Sequence, residues 1–254
     1  MPSTLSRAGR IAGRVAPLAV VPFALSLLAF EKVTAVASTH GTSISVKFAL
    51  PADVATLWTL VDPPTQGVAV HSPVPLLFVP VFLAVEAAVV AGYLGSIRDA
   101  YRDRRPDFVG AAGDYWLSIL GVRVAQFLLF VGLALAAVGG GVVGVLFLIP
   151  LIFLLGYLLW AAPYLVVLRD ADALTALSAS ANLGAKGGRY LAFSVGYAVV
   201  AAGGSLVVSP LVTSSGLTGV LVGAALVAYP SLVGSAAATV VVDEVAAAVE
   251  SRGA

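Results

Sequence analysis

Val142-Val-Gly-Val-Leu-Phe-Leu-Ile-Pro150-Leu-Ile-Phe-Leu-Leu-Gly-Tyr-Leu-Leu-Trp160-Ala-Ala-Pro-Tyr-Leu-Val-Val-Leu168 contains no charged residue. A membrane-crossing helix needs roughly 20 mostly apolar residues, and this run exceeds that. A soluble core helix of such length would still show a polar face; none exists here. The stretch therefore predicts a lipid-embedded helix, and the rest of the chain follows its pattern. Comparable runs cover about Val15–Phe30, Val74–Ile97, Leu117–Val138, Tyr190–Ser209 and Leu217–Val242. The expected fold class is all-α: a polytopic transmembrane bundle of about six spans, forming one integral membrane domain over residues 1–254, with amphipathic elbows on the cytoplasmic side.

Composition agrees. Of 254 residues, 60% are hydrophobic and 11% charged, with a mean hydropathy of +1.03. Soluble domains carry about 25% charged residues, so this chain lacks the charges to cover a water-facing surface. A net charge of +1 argues against nucleic acid as a partner, which calls for a clustered basic face. The lack of cysteine excludes disulfides and thiolate-bound zinc. The two histidines, His40 and His71, have no metal-binding spacing. No cofactor, metal or catalytic constellation is expected.

Lys and Arg set the expected orientation, because short cytoplasmic loops collect them. Of the 14 basic residues, all but Lys32 and Lys47 fall on one side of a six-span arrangement. Both termini are then cytoplasmic in a cell membrane, and residues of about 31–73 form an outside loop. Arg7, Arg10 and Arg14, an apolar stretch and Ala35-Val36-Ala37 also resemble a cleavable signal peptide. Glu31 and Lys32 interrupt that pattern, so a retained first helix is preferred and cleavage is the alternative.

Within the outside loop, Ile44, Val46, Phe48 and Leu50 alternate with Ser43, Ser45, Lys47 and Ala49. That period predicts a short strand. Pro51–Val61 reads as a short helix carrying Trp58 at headgroup level and ended by Pro63-Pro64. A lid or re-entrant cap over the bundle is the preferred reading of the loop, and a ligand-recognition surface the alternative.

The basic-side connections carry the strongest internal pattern. Tyr93-Leu-Gly-Ser-Ile-Arg98-Asp99-Ala100 matches Tyr164-Leu-Val-Val-Leu-Arg169-Asp170-Ala171. This reads as a parallel repeat of helix, elbow and helix, with coincidental likeness at two membrane exits as the alternative. In the second elbow Asp172 is a candidate N-cap. Leu174, Leu177 and Leu183 follow at near-helical spacing, and Gly187-Gly188 stops the helix. Phe108, Tyr115 and Trp116 are candidate interface anchors in the first elbow.

Ala176-Leu177-x-x-Ser180-x-x-Leu183, then Lys186-Gly187 and the aromatic-led span from Tyr190, resembles an element of the membrane domain found beside glycerophosphodiester phosphodiesterases. Arg105-Pro106-Asp107-Phe108 is similar to the first elbow of haloarchaeal-type members. The resemblance covers roughly Gly92 to the C-terminus. The positions of Ser178 and Ala179, often charged in those families, are uncharged here, and the catalytic domain has no counterpart. The resemblance implies a fold and a membrane location, not an activity.

Motifs for nucleotides, nucleophilic catalysis and zinc proteolysis are absent. Gly184-Ala-Lys-Gly-Gly188 lacks P-loop spacing and reads as a helix stop. Gly139-Gly-Gly141 reads as a tight turn. Gly219 with Gly223, and Gly132 with Ala136 and Gly140, have the spacing of close helix packing. Pro22, Pro80, Pro150 and Pro230 are expected to kink their spans.

Glu86 and Arg123 are the ionisable residues expected inside spans. An unpaired charge there costs on the order of 3 kcal/mol or more. Arg123 is placed about a turn and a half inside its span, near enough to snorkel to the interface. A Glu86–Arg123 pair is expected, with Tyr157 as a hydrogen-bond donor and Gln126 and Ser194 as polar neighbours. A structural pair is the preferred reading. The expected function is that of a non-enzymatic multi-pass membrane protein acting through the lipid bilayer or other membrane proteins. The alternative is a small-solute transporter or permease with Glu86 in its pathway.

Overall fold

The computed structural model describes residues 3–38, 41–63 and 78–253; His40, His71, Pro64 and the start of the expected second span lie outside them. In chain order the helices are α1 Thr4–Arg14, α2 Val20–Leu28, α3 Phe30–Ala37, α4 Val79–Tyr101, α5 Phe108–Gly139, α6 Gly141–Leu159, α7 Ala162–Arg169, α8 Ala173–Lys186, α9 Arg189–Ser214 and α10 Gly216–Gly253. Among the described residues no β-strand occurs. Among the described residues, five stretches are long and apolar enough to cross a membrane: α4, α5, Leu146–Arg169, α9 and most of α10. Among them a bent pair makes a sixth if it counts as one span.

That bent pair corrects the expected first span. Val15–Phe30 is not one straight helix. Helix α1 meets the following segment, Ala16–Leu28, at 94°. Pro17 opens a 3-10 turn at Ala16–Ala19, and without an N–H it cannot extend the α1 ladder. At Ala29 (φ −75°, ψ 61°) helical backbone stops again before α3. Pro80 also differs from expectation: it sits in the first turn of α4, where no N–H is needed. Pro150, Pro210 and Pro230 lie inside α6, α9 and α10. In the fourth span the α-helix is interrupted between Leu159 and Ala162, where Pro163 opens α7.

Position in the bundle follows from composition. Helix α10 touches α1, α2, α3, α4, α7, α8 and α9. Its apolar window is 67% buried, against 11% for α5. Helix α7 is buried along its whole apolar run, Ala162–Leu168. Outward-facing side chains are large and apolar, among them Leu128, Leu135, Phe147, Phe153, Val200 and Val207. Such a surface suits lipid tails and not water. The α4–α5 hairpin closes tightly because Gly95 faces Ala111; a Cβ at Gly95 would lie 2.2 Å from the Ala111 Cβ. Gly141, at φ +60°, turns α5 into α6 as expected. Gly219 and Gly223 pack within the chain against Val212 and Leu57, whereas Gly132 faces open space.

The second elbow forms as read. Asp172 accepts from Leu174 N–H (2.9 Å) and Thr175 N–H (3.0 Å), and Gly187 (φ 63°) ends α8. The buried face of α8 is Ala176, Ser180, Leu183 and Gly184, while Leu174 is exposed. The repeated Arg-Asp pairs become links of one ionic chain. Arg98 pairs with Asp170 (3.5 Å), and Arg169 with Asp243 (2.5 Å). Glu244 takes both Arg7 (3.0 Å) and Arg189 (2.6 Å). This chain ties α4, α7, α10, α1 and α9 together at the basic end.

Residues 41–63 depart most from expectation. They form neither the expected short strand nor a helix with an interfacial tryptophan. Residues 43–47 run extended along α9. Ser43 N–H donates to the Thr213 hydroxyl (2.9 Å), Ser45 Oγ lies 2.7 Å from Ser209 Oγ, and Lys47 N–H donates to Ser205 Oγ (3.0 Å). The register has a simple origin. Two extended residues advance about 6.6 Å, and four helical residues about 6.0 Å, so alternate residues of one meet every fourth residue of the other. Backbone groups that would pair with a second strand are met by helix hydroxyls. The alternation is inside out: Ser43, Ser45 and Lys47 face α9, while Ile44, Val46 and Phe48 face outward, 52–69% exposed. Only Leu57–Thr59 coils, as a 3-10 turn. Trp58 is buried, with Nε1 donating to Ser26 O at 2.7 Å. That carbonyl lies in the last turn of α2, where helix acceptors lack partners. Lys47 Nζ joins the two limbs, donating to Trp58 O (2.8 Å) and Asp62 (2.5 Å).

Candidate functional site

The tip of this re-entrant segment builds the polar centre of the bundle. Asp53, 7% exposed, is salt-bridged to Arg123 Nη2. The same nitrogen lies 3.4 Å from Glu86 Oε1. The expected Glu86–Arg123 pair is therefore present, with a second carboxylate that the span-by-span reading missed. Arg123 faces these carboxylates from within a longer helix than the expected third span. Helix α5 starts at Phe108 and not Leu117, which places Arg123 at the midpoint of its 32 residues. The Arg123 guanidinium finds its counter-charges inside the bundle, in Asp53 and Glu86.

Neutral groups hold the tip in place. Tyr164 OH donates to Ala52 O (2.8 Å), and Ser235 Oγ to Asp53 O (3.0 Å). Tyr93 OH donates to Ser235 Oγ at 3.2 Å. Tyr93 and Tyr164 are equivalent residues of the sequence repeat, and both converge on this point. Ser235 lies near the middle of the 38-residue α10, so the tip reaches mid-helix depth. Non-helical backbone survives at that depth only where protein or a water-lined cavity satisfies it. Here hydroxyls of α7, α9 and α10 do so.

Tyr157 is not part of the centre. Its hydroxyl donates to Gly184 O (2.9 Å), fastening α6 to the end of α8. Ser194 accepts from Trp160 Nε1 (3.1 Å), and Gln126 Nε2 donates to Leu159 O (3.4 Å). These polar residues serve helix packing, not Glu86. Two signals in the sequence pointed toward the missed Asp53: the four-residue spacing of Ser205, Ser209 and Thr213 in a span, and the alternation of Ser43, Ser45 and Lys47.

Chemically, the centre holds one guanidinium against two carboxylates. Arg123 Nε is buried and has no partner among the described residues. The Glu86 side chain keeps 29% exposure, against 8% for Asp53, so Glu86 is the open edge of the cluster. The described residues contain no grouping of three His, Asp or Glu fit for a metal ion. A separate cleft of about 360 Å³ lies at the basic end, between α1 and the end of α4.

No family model, no curated protein and no solved structure matches this chain.

Proposed function

We propose that this is a non-enzymatic multi-pass membrane protein that acts through contacts with lipid or other membrane proteins, with its basic end in the cytoplasm. The observation that carries the reading is how the charges are disposed. Arg123, Asp53 and Glu86 answer one another inside the bundle. What remains facing outward is an apolar belt and an arginine-bearing end. The elbow resemblance to membrane domains beside glycerophosphodiester phosphodiesterases supports a role as a membrane module. Gentle purification from native membranes, with retained lipids and proteins identified by mass spectrometry, tests this. Defined lipids or a membrane-protein partner are expected at stoichiometric amounts; a preparation retaining neither overturns the reading. For orientation, Thr42→Cys is expected to label from outside intact cells and Ser178→Cys only after permeabilisation. The reverse pattern refutes the orientation.

A second reading is a small-solute permease with Glu86 in its pathway. It is favoured by the re-entrant segment, a device of channels and transporters, and by the unpartnered Arg123 Nε beside the exposed edge of Glu86. The chain lacks cysteine, so Glu86→Cys can be probed without background. Rapid reaction with a membrane-impermeant cationic thiol reagent supports a water path, and protection supports the structural role.

A further inference from the structure

We infer that the cleft between α1 and the end of α4 is a binding site for a phosphate group, with the headgroup of an anionic lipid as its expected bearer. This rests on the lipid-contact reading above and assigns that contact a place.

Arginines at 7, 10 and 14 lie within roughly 60° of one another around a helix of 100° per residue. The apolar stripe of Ala8, Ile11, Ala12 and Val15 flanks them and is buried against the bundle. The 94° bend after α1 lays this helix across the direction of α2, the orientation of an interfacial amphipathic helix. Its arginine edge then stands at headgroup level, where phosphates are found.

The cleft is lined by Arg7, Arg10, Arg14, Tyr101 and Asp103 among others. Three guanidiniums face one carboxylate, and two of them are already held. Arg7 is oriented by Glu244 (3.0 Å) and by Tyr101 OH (3.4 Å). Arg14 donates to Ala100 O (2.8 Å) and is paired with Asp103. Arg10, between them, has no ion pair or side-chain hydrogen bond among the described residues. Planar guanidiniums with spare N–H donors recognise phosphate oxygens in a two-pronged manner. A volume of about 360 Å³ admits a headgroup phosphate with its glycerol. Arg7 and Arg14 are positioned by the fold, and Arg10 supplies the uncommitted charge.

The test uses the full chain purified in neutral detergent. Binding of short-chain phosphatidylglycerol, short-chain phosphatidylcholine and inorganic phosphate is titrated by the shift in thermal unfolding midpoint. The wild-type chain is expected to bind phosphatidylglycerol most tightly. Arg10→Gln, at an exposed and unpartnered position, is expected to fold normally and to bind about tenfold more weakly, the factor for one lost charge-assisted hydrogen bond. Arg10→Lys is expected to recover part of the affinity. Arg105→Gln, which removes an exposed arginine outside the cleft, is expected to change nothing. If inorganic phosphate competes and is equally sensitive to Arg10, the site stands and its source is a soluble phosphate. If Arg10→Gln and Arg105→Gln weaken binding alike, or if Arg10→Gln has no effect, the site is refuted. In that case, co-purified lipid still present on the Arg10→Gln protein leaves the broader lipid-contact reading standing. A wild-type chain that binds no phosphatidylglycerol and retains neither lipid nor a partner protein refutes both.

Discussion

Two clusters of charge hold this molecule together, and they are built on different terms. At mid-bundle, one arginine faces two carboxylates behind helices, with Asp53 at 8% and Arg123 at 21% side-chain exposure. At the basic end, Arg98, Arg169, Arg7 and Arg189 alternate with Asp170, Asp243 and Glu244 in a chain whose members range from 11% to 66% exposed. Each link there has a neighbour and access to solvent. Buried charges are costly to leave alone, whereas exposed pairs contribute little singly. The inner centre should thus behave as an all-or-none fastening of the re-entrant segment, and the outer chain as a redundant tie among helices.

The largest effect is expected at Arg123. Arg123→Gln leaves two carboxylates without a cation and should destabilise the protein by about 3–5 kcal/mol, or prevent its assembly. Glu86→Gln should cost less, because Asp53 keeps its partner. In thermal unfolding in detergent, Arg123→Gln combined with Asp53→Asn and Glu86→Gln should cost less than the sum of the single losses. Additive losses would mean that the three residues do not form a unit.

Next is the hinge of the returning limb. Ser26 Oγ accepts Leu57 N–H (2.9 Å) while donating to Pro22 O (2.6 Å). Ser26→Ala leaves Leu57 N–H buried without its acceptor, which should cost about 1–3 kcal/mol. Protease sensitivity of residues 41–63 should rise with it. Destabilisation without loosening of that limb would place the role of Ser26 in α2 alone.

A smaller effect is expected in the outer chain. Arg169→Gln removes the partner of Asp243 and of Glu250 (2.9 Å), yet the surrounding links persist. A loss of about 1 kcal/mol is expected, shrinking at high salt because exposed pairs are screened. A salt-independent loss as large as that of Arg123→Gln would erase the contrast between the two clusters.

The smallest concerns the second elbow. Hydrogen bonds from Thr175 hold the Asp172 carboxyl below its ordinary value. The carboxylate form is thus favoured by folding. Its stabilisation of α8 is present above the ordinary aspartate range, about pH 4, and is lost as pH falls through the lower folded value. Asp172→Ala should flatten that acid-side decline in α8 helicity and leave neutral-pH assembly intact. An unchanged acid profile would show that the cap does not titrate with the helix.

The sequence by itself determined the class of this protein. Long uncharged runs admit only helices with internally satisfied backbones in lipid, and that logic holds at α4 to α6, α9 and α10. Local chemistry was legible as well. Asp172 caps α8, Gly187 stops it and Gly141 makes its turn because each acts on its own neighbours. The Glu86–Arg123 pair was legible because a buried charge demands a partner and few were on offer. Tertiary structure alone decided where residues 41–63 go. A period of two announces two faces but not which face meets protein, and here the polar face turned inward to hydroxyls more than 150 positions away in sequence. Asp53 therefore looked like a surface residue in an outside loop. The reassignment of Tyr157 to α8 has the same cause, whereas the break after α1 is local and follows from Pro17. Spacing along one helix fixes which side chains share a face, whereas the partner of that face is chosen by packing among segments far apart in the chain.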